Sequence, residues 1–151
     1  MRSIAIVPIT ASGGSAVKVL LVDDEVDILQ STGLLLEFYG YRVVTTSAPG
    51  AALALARAER PDVILLDAVM PAFDLAAMMA ALRADPALKA IPVLLVSASE
   101  DLASLKAQVG ADGHLSKPFR PRALVDAVRS LVQRRALAPQ AKGPALDETA
   151  D

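Results

Sequence analysis

Apolar residues follow two alternating rhythms along the chain. Short β-rich runs, at Val17–Val22, Arg42–Thr46, Val63–Asp67, Val93–Ser97 and Gly113–Ser116, are separated by longer stretches with helical spacing. The first, third and fourth runs are apolar at consecutive positions, the pattern of strands covered on both faces. The helical stretches are Val26–Tyr39 closed by Gly40, Ala48–Ala58 followed by Pro61, Asp74–Ala84 ending before Asp85-Pro86, Glu100–Val109 ending at Gly110, and Pro121–Arg135. The last carries Leu124, Val125, Val128, Leu131 and Val132, the i, i+3/i+4 stripe of a surface helix. Five β-then-α units predict a parallel sheet with right-handed crossovers.

The two ends break this rhythm. The start, "MRSIAIVPITASGGS", holds one Arg and a short apolar patch broken by Pro8 and followed by Gly13-Gly14. A flexible extension over 1–16 is expected there rather than a signal peptide. Residues 136–151 are rich in Ala and Pro without an apolar period, so a disordered tail is expected. One domain is left, over 17–135, and no second domain or repeat is visible.

Composition narrows the chemistry. Apolar residues make up 54% of the 151, enough for a continuous core. Fifteen basic and 17 acidic residues give a net charge of −2, which predicts no affinity for nucleic acid or an anionic membrane from charge alone. With no Cys and one His, thiol-ligated and His-rich metal sites are excluded, and any divalent cation must be a hard one held by oxygens. No apolar run approaches the roughly 18 residues of a membrane span. The expected compartment is the cytoplasm.

In an open parallel α/β sheet, ligands bind beyond the carboxyl ends of the strands. Strand one ends on Asp23, Asp24 and Glu25, strand three on Asp67, strand four on Ser97, and strand five leads to Lys117 before Pro118. Singly these are ordinary: Asp-Asp ahead of a helix is an N-cap pattern, and Ser97 or Lys117 suits a turn. Together they bring carboxylates, a hydroxyl and an ammonium to one rim. Carboxylates crowded at 4 Å repel by roughly 4 kcal/mol per pair at an effective dielectric of about 20. Mg²⁺ among them relieves that repulsion, and it favours one or two protein carboxylates, waters and a phosphate oxygen. Asp67 is then a candidate nucleophile forming an acyl phosphate, with Lys117 and the Ser97 hydroxyl on the phosphoryl oxygens.

The segments "VLLVDDE", "DVILLDAVMP", "IPVLLVSA" and "GADGHLSKPF", in this order, resemble the receiver domain of two-component response regulators over about Val17 to Arg135. The Asp67-to-Ser97 interval of 97 − 67 = 30 positions is the family's. The resemblance implies a (βα)5 doubly wound, flavodoxin-like fold with strand order 2-1-3-4-5. It implies Asp67 as phosphoacceptor, Asp23 and Asp24 as the acidic pair at the Mg²⁺ site, and the Val69 carbonyl as a further metal ligand. Ser97 matches the switch hydroxyl, Lys117 the family's lysine, and Lys117-Pro118 its cis bond. Ala72 and Leu75 stand where glycines are common, and His114 where an aromatic ring often acts as rotamer switch. The Ser97-to-Lys117 interval, 117 − 97 = 20, is about two short of the family's, which trims the fourth loop or helix.

The function expected is that of a stand-alone, Mg²⁺-dependent phosphoacceptor and not an enzyme beyond its own phosphorylation and dephosphorylation. Its partners would be a histidine kinase or phosphotransfer protein and a downstream protein, with homodimerisation open. A receiver-fold interaction module working without phosphorylation is the alternative, and it predicts a damaged acidic pocket. An aspartyl-nucleophile phosphatase needs a second acid two positions after Asp67, where Val69 stands.

Overall fold

The computed structural model describes residues 16–137. Five strands, β1 (Lys18–Val22), β2 (Arg42–Thr46), β3 (Val63–Asp67), β4 (Val93–Ser97) and β5 (Gly113–Ser116), form one sheet in the order β2-β1-β3-β4-β5. All pairings are parallel. The helices are α1 (Val26–Phe38), α2 (Ala52–Glu59), α3 (Leu75–Ala84), α4 (Leu102–Val109) and α5 (Pro121–Leu137). The expected fold class and strand order are therefore observed. The expected extension and tail fall outside the described residues, except Ala16 and the last two residues of α5.

The consecutive apolar runs have the predicted cause. All five residues of β3 and of β4 are buried, because helices cover both faces of the central strands. Successive side chains alternate between two cores. Leu20, Val22, Ile64, Leu66 and Leu95 pack with α2, α3 and the start of α4. Val19, Leu21, Leu65, Leu94 and Val96 pack with α1 and α5. Each fully buried Leu, Ile or Val contributes about 1.5–3 kcal/mol of transfer free energy, so the two layers hold the strand ends in register. The edge strand β2 is only half covered and reads "RVVTT".

Two helices begin later than the periodicity suggests. Ala48–Ala58 is divided: Pro49–Ala51 form a 3-10 turn closed by the Ala51 N–H to the Ala48 carbonyl (3.0 Å), and α2 follows. Pro49 supplies the fixed φ of a helix start and lacks the N–H a longer helix would use. The fourth helix starts at Leu102 rather than Glu100. The Ser99 hydroxyl accepts the Asp101 N–H at 3.1 Å in a local turn just ahead of it.

Candidate functional site

Among the described residues, the buried polar or charged side chains are Asp23, Asp67 and Ser97 (6%, 6% and 4% exposed). All three stand where a strand gives way to its loop at the carboxyl rim of the sheet. β3 delivers Asp67 as its last residue, registered against Val96 of β4. Ser97, one residue further, is registered against Ser116 of β5. Beyond Ser116 the chain passes the cis Lys117–Pro118 peptide, the form the resemblance implies. The Lys117 N–H donates to the Ser97 carbonyl at 2.9 Å, which ties the lysine to β4.

The Lys117 side chain reaches into the acidic group. Its Nζ lies 2.7 Å from Asp23 Oδ2, 3.4 Å from Asp67 Oδ2 and 3.7 Å from Glu25 Oε1. The remaining carboxylate oxygens are held by backbone. Asp67 Oδ1 accepts the Val69 N–H at 3.0 Å, and Asp23 Oδ1 accepts the Glu25 N–H at 2.9 Å. Each Asp thus keeps one oxygen fixed and turns the other to the ammonium. An apolar cleft formed by Leu21, Ile28, Leu65, Val96 and Phe119 lies against Asp23, Asp67 and Lys117.

Those surroundings set the protonation energetics. Burial pushes the Asp67 carboxyl above its ordinary range; the Val69 N–H and the Lys117 ammonium pull it down, Asp23 pushes it up, and the net direction is upward. Burial pulls the Lys117 ammonium down. The hydrogen bond to Asp23 and the charges of Asp67 and Asp23 outweigh that and hold it above the ordinary lysine value. An ion pair is thus reinforced around a carboxylate that resists ionisation.

Asp23, Glu25 and Asp67 each offer an oxygen within 4.8 Å of the others. Three hard oxygen donors are the set that Mg²⁺ accepts, so the residues fit that ion. Asp24 is exposed and stands outside this group. The chain bends at Asp24, where Asp23 Oδ1 accepts the Glu25 N–H at 2.9 Å, and this turn brings Glu25 rather than Asp24 beside Asp23 and Asp67. The geometric group thus includes Glu25 where the resemblance implies Asp24, and both belong to the triplet Asp23-Asp24-Glu25.

The other departures have definite places. Ala72 takes a left-handed φ of +54°, the conformation for which glycine is common at this point of the loop. Leu75 opens α3 and is buried in the core, its predecessor Asp74 capping the helix by accepting the Ala77 N–H at 3.0 Å. His114 is exposed on β5. Val69 is 60% exposed beside the buried Asp67. α4, in the interval expected to be short, has eight residues.

Comparison with known proteins agrees with this geometry. The family description "Response regulator receiver domain" matches residues 19–129. The alkaline phosphatase synthesis transcriptional regulatory protein PhoP of Bacillus subtilis is 34% identical over 123 residues, which are 80% of this chain and 50% of that protein. The transcriptional regulatory protein PrrA of Mycobacterium tuberculosis is 37% identical over 126 residues, 82% of this chain and 53% of that one. The chain spans about half the length of such curated relatives. Among solved structures, the chemotaxis response regulator CheY4 of Vibrio cholerae superposes with a TM-score of 0.70 at 33% identity, covering 76% of this chain and 98% of that chain. A putative response regulator from Chloroflexus aurantiacus gives a TM-score of 0.72 at 28% identity, covering 78% of this chain and 98% of that chain.

Proposed function

We propose, since this chain belongs to the receiver domain family of two-component response regulators, that it accepts a phosphoryl group on Asp67 from a phosphohistidine donor. An Asp67 carboxylate oxygen attacks phosphorus, the donor's P–N bond breaks as the P–O bond forms, and the imidazole nitrogen leaves with the electron pair. The observation that carries this reading is the convergence on Asp67, buried at the end of the central strand with Lys117 Nζ at 3.4 Å and shared with Asp23 at 2.7 Å.

The chain's own groups supply the rest. Lys117, already at the Asp67 oxygen, pairs with a phosphoryl oxygen once the carboxylate is phosphorylated. The Ser97 hydroxyl donates to another and draws the start of the β4–α4 loop toward the site. Asp23, Glu25 and Asp67, with the Val69 carbonyl, are the residues that would hold Mg²⁺, and Asp24 is the remaining rim carboxylate the resemblance assigns there. Bound Mg²⁺ neutralises carboxylate and phosphoryl charge. Movement at Ser97, with His114 exposed on the neighbouring strand, biases a two-state equilibrium of the β4–β5 side. The partners are a sensor histidine kinase or phosphotransfer protein and a protein that reads the switched surface; the setting is the cytoplasm. No helix among the described residues is long and apolar enough to cross a membrane.

The test is incubation with Mg²⁺ and acetyl phosphate or phosphoramidate. One phosphoryl group should be added, labile to base and hydroxylamine, and Asp67→Asn should abolish it. Label that persists in the variant moves the nucleophile elsewhere and ends this reading.

A further inference from the structure

Of the four large apolar side chains left exposed among the described residues, Val69 lies at the acidic rim and the other three share one helix. Val26, Leu34 and Phe38, at 52%, 68% and 68% exposure, all belong to α1. Their spacings of eight and four residues keep them near one side of the helix. That side borders the outer edge of the sheet, where a groove lies between α1 and β2, lined by Val26, Gln30, Leu34, Glu37, Val43 and Thr45. Among the described residues, Glu37 is the one charged residue lining it. β2 ends the sheet, and its "RVVTT" has neither Pro nor Lys to discourage a neighbour.

The chain passes beside this groove as it enters the sheet. The Val17 carbonyl accepts the Arg42 N–H at 2.8 Å, so β1 begins at the foot of β2. α1 also ends at this level, since the Tyr41 N–H donates to the Leu36 carbonyl at 3.1 Å. Residues 3–15 carry no charged side chain and include Ile4, Ile6, Val7 and Ile9. Thr10–Ser15 can span about 20 Å at roughly 3.3–3.6 Å per residue. The outer side of β2 is two strand spacings from β1, about 10 Å. A tether of this kind presents the stretch at an effective concentration in the millimolar range, above that of a second copy in ordinary solution.

We propose that the apolar stretch Ile4–Ile9 seats in the α1–β2 groove of its own chain and covers Leu34 and Phe38. The cover lies on the outer face of the helix that begins at the acidic rim. A macromolecule docking across that face must displace it.

The chain has no cysteine, so Thr10→Cys provides one site for a spin label and leaves Ile4–Ile9 intact. The amide signals of Leu34, Phe38, Val43 and Thr45 should lose intensity selectively, to the same degree at low and high protein concentration, while those of Met78 and Leu105 on the far side keep theirs. Leu34→Asp with Phe38→Asp, at exposed positions that do not carry the fold, should restore the Val43 and Thr45 signals. Absence of selective broadening in the parent overturns the proposal. So does broadening that passes from a labelled chain to an isotopically enriched, unlabelled chain in a mixture, because the occupant is then a second copy.

Discussion

Asp67, the proposed phosphoacceptor, is held in the fold at a cost to stability. Its folded pKa is raised, so its contribution to stability is complete below the ordinary carboxylate value and is lost as pH rises through the raised one. At neutral pH the ion-free protein therefore carries an ionised group that the fold disfavours. Asp67→Asn removes that ionisation, and its side-chain oxygen can still accept the Val69 N–H. The variant should unfold at higher urea than the parent at pH 7 without divalent ions, and the gap should close below about pH 3.9. A less stable variant at pH 7 would mean that the Lys117 pairing outweighs burial. The metal assignment divides the same triplet. Mg²⁺ at 100 times its dissociation constant should add about 2.7 kcal/mol to the parent. Glu25→Ala should reduce that gain more than Asp24→Ala, because Glu25 shares the 4.8 Å group with Asp23 and Asp67. The reverse order restores Asp24 to the pair the resemblance implies. The acid triplet was visible in the sequence, but which of its members face inward depends on how the chain leaves β1, which no motif records. Ala72 is a third case: at φ +54° a non-glycine residue costs about 1 kcal/mol, partly offset by glycine's larger unfolded-state entropy. Ala72→Gly should stabilise by about 0.5 kcal/mol in denaturant titration, and Arg60→Gly, at φ 49° after α2, should do the same.

At the scale of elements, what could be read in advance was what packing enforces. The buried runs of β3 and β4 and the stripe of α5 have no alternative placement in a two-faced sheet, and their limits match the structure to within two residues. The starts of α2 and α4 differ from those the apolar period predicts because turn hydrogen bonds decide them. Long-range polar clips were not legible at all. Arg83 on α3 donates to the Ile91 carbonyl at 2.9 Å, the Lys89 carbonyl at 3.2 Å, the Gly110 carbonyl at 3.2 Å and Asp112 Oδ2 at 2.7 Å. Asp112 Oδ2 also accepts the Val93 N–H at 2.8 Å. One guanidinium thus fastens α3 to the entries of β4 and β5, the strands that carry Ser97 and lead to Lys117. Hydrogen bonds to charged groups contribute about 1.5–3 kcal/mol where they are sheltered, and this one is partly exposed. Arg83→Ala should therefore lower stability by about 1–2 kcal/mol. Arg83→Lys should rescue little of it, since an ammonium cannot span four acceptors with the planar fork of arginine. Equal stability of the Lys variant and the parent would show that charge alone suffices.

The whole molecule sets how long a signal lasts. An acyl phosphate on Asp67 would be lost when water attacks phosphorus in line, opposite the leaving carboxylate oxygen. Positions two beyond Asp67 and two beyond Ser97, Val69 and Ser99, are expected from the family resemblance to flank the approach to that site. Val69 is 60% exposed, so the path is open to solvent, but its isopropyl group cannot orient a water molecule. The Ser99 hydroxyl accepts the Asp101 N–H at 3.1 Å, and its own N–H is turned to Ser97 Oγ at 3.3 Å. The Ser99 hydroxyl already accepts one bond within the loop before α4, and neither residue brings a carboxylate or amide to the water. Access without positioning gives a slow reaction, because most of the advantage of an acid–base group lies in its placement. Self-dephosphorylation should therefore be slow, in keeping with a sustained signal rather than a rapid one. The check is the decay of the phosphorylated parent, followed by loss of label, beside a Val69→Asn, Ser99→Glu double variant. A positioned amide and carboxylate should speed the decay about 10-fold to 100-fold, the lower part of what a placed acid–base group supplies. Both variants should first be shown to take up one phosphoryl group, so that a change in decay is separated from a change in acceptance. Equal decay rates would mean that the two side chains do not govern the lifetime. Water access controlled by Lys117 and the β4–α4 loop would then be the determinant.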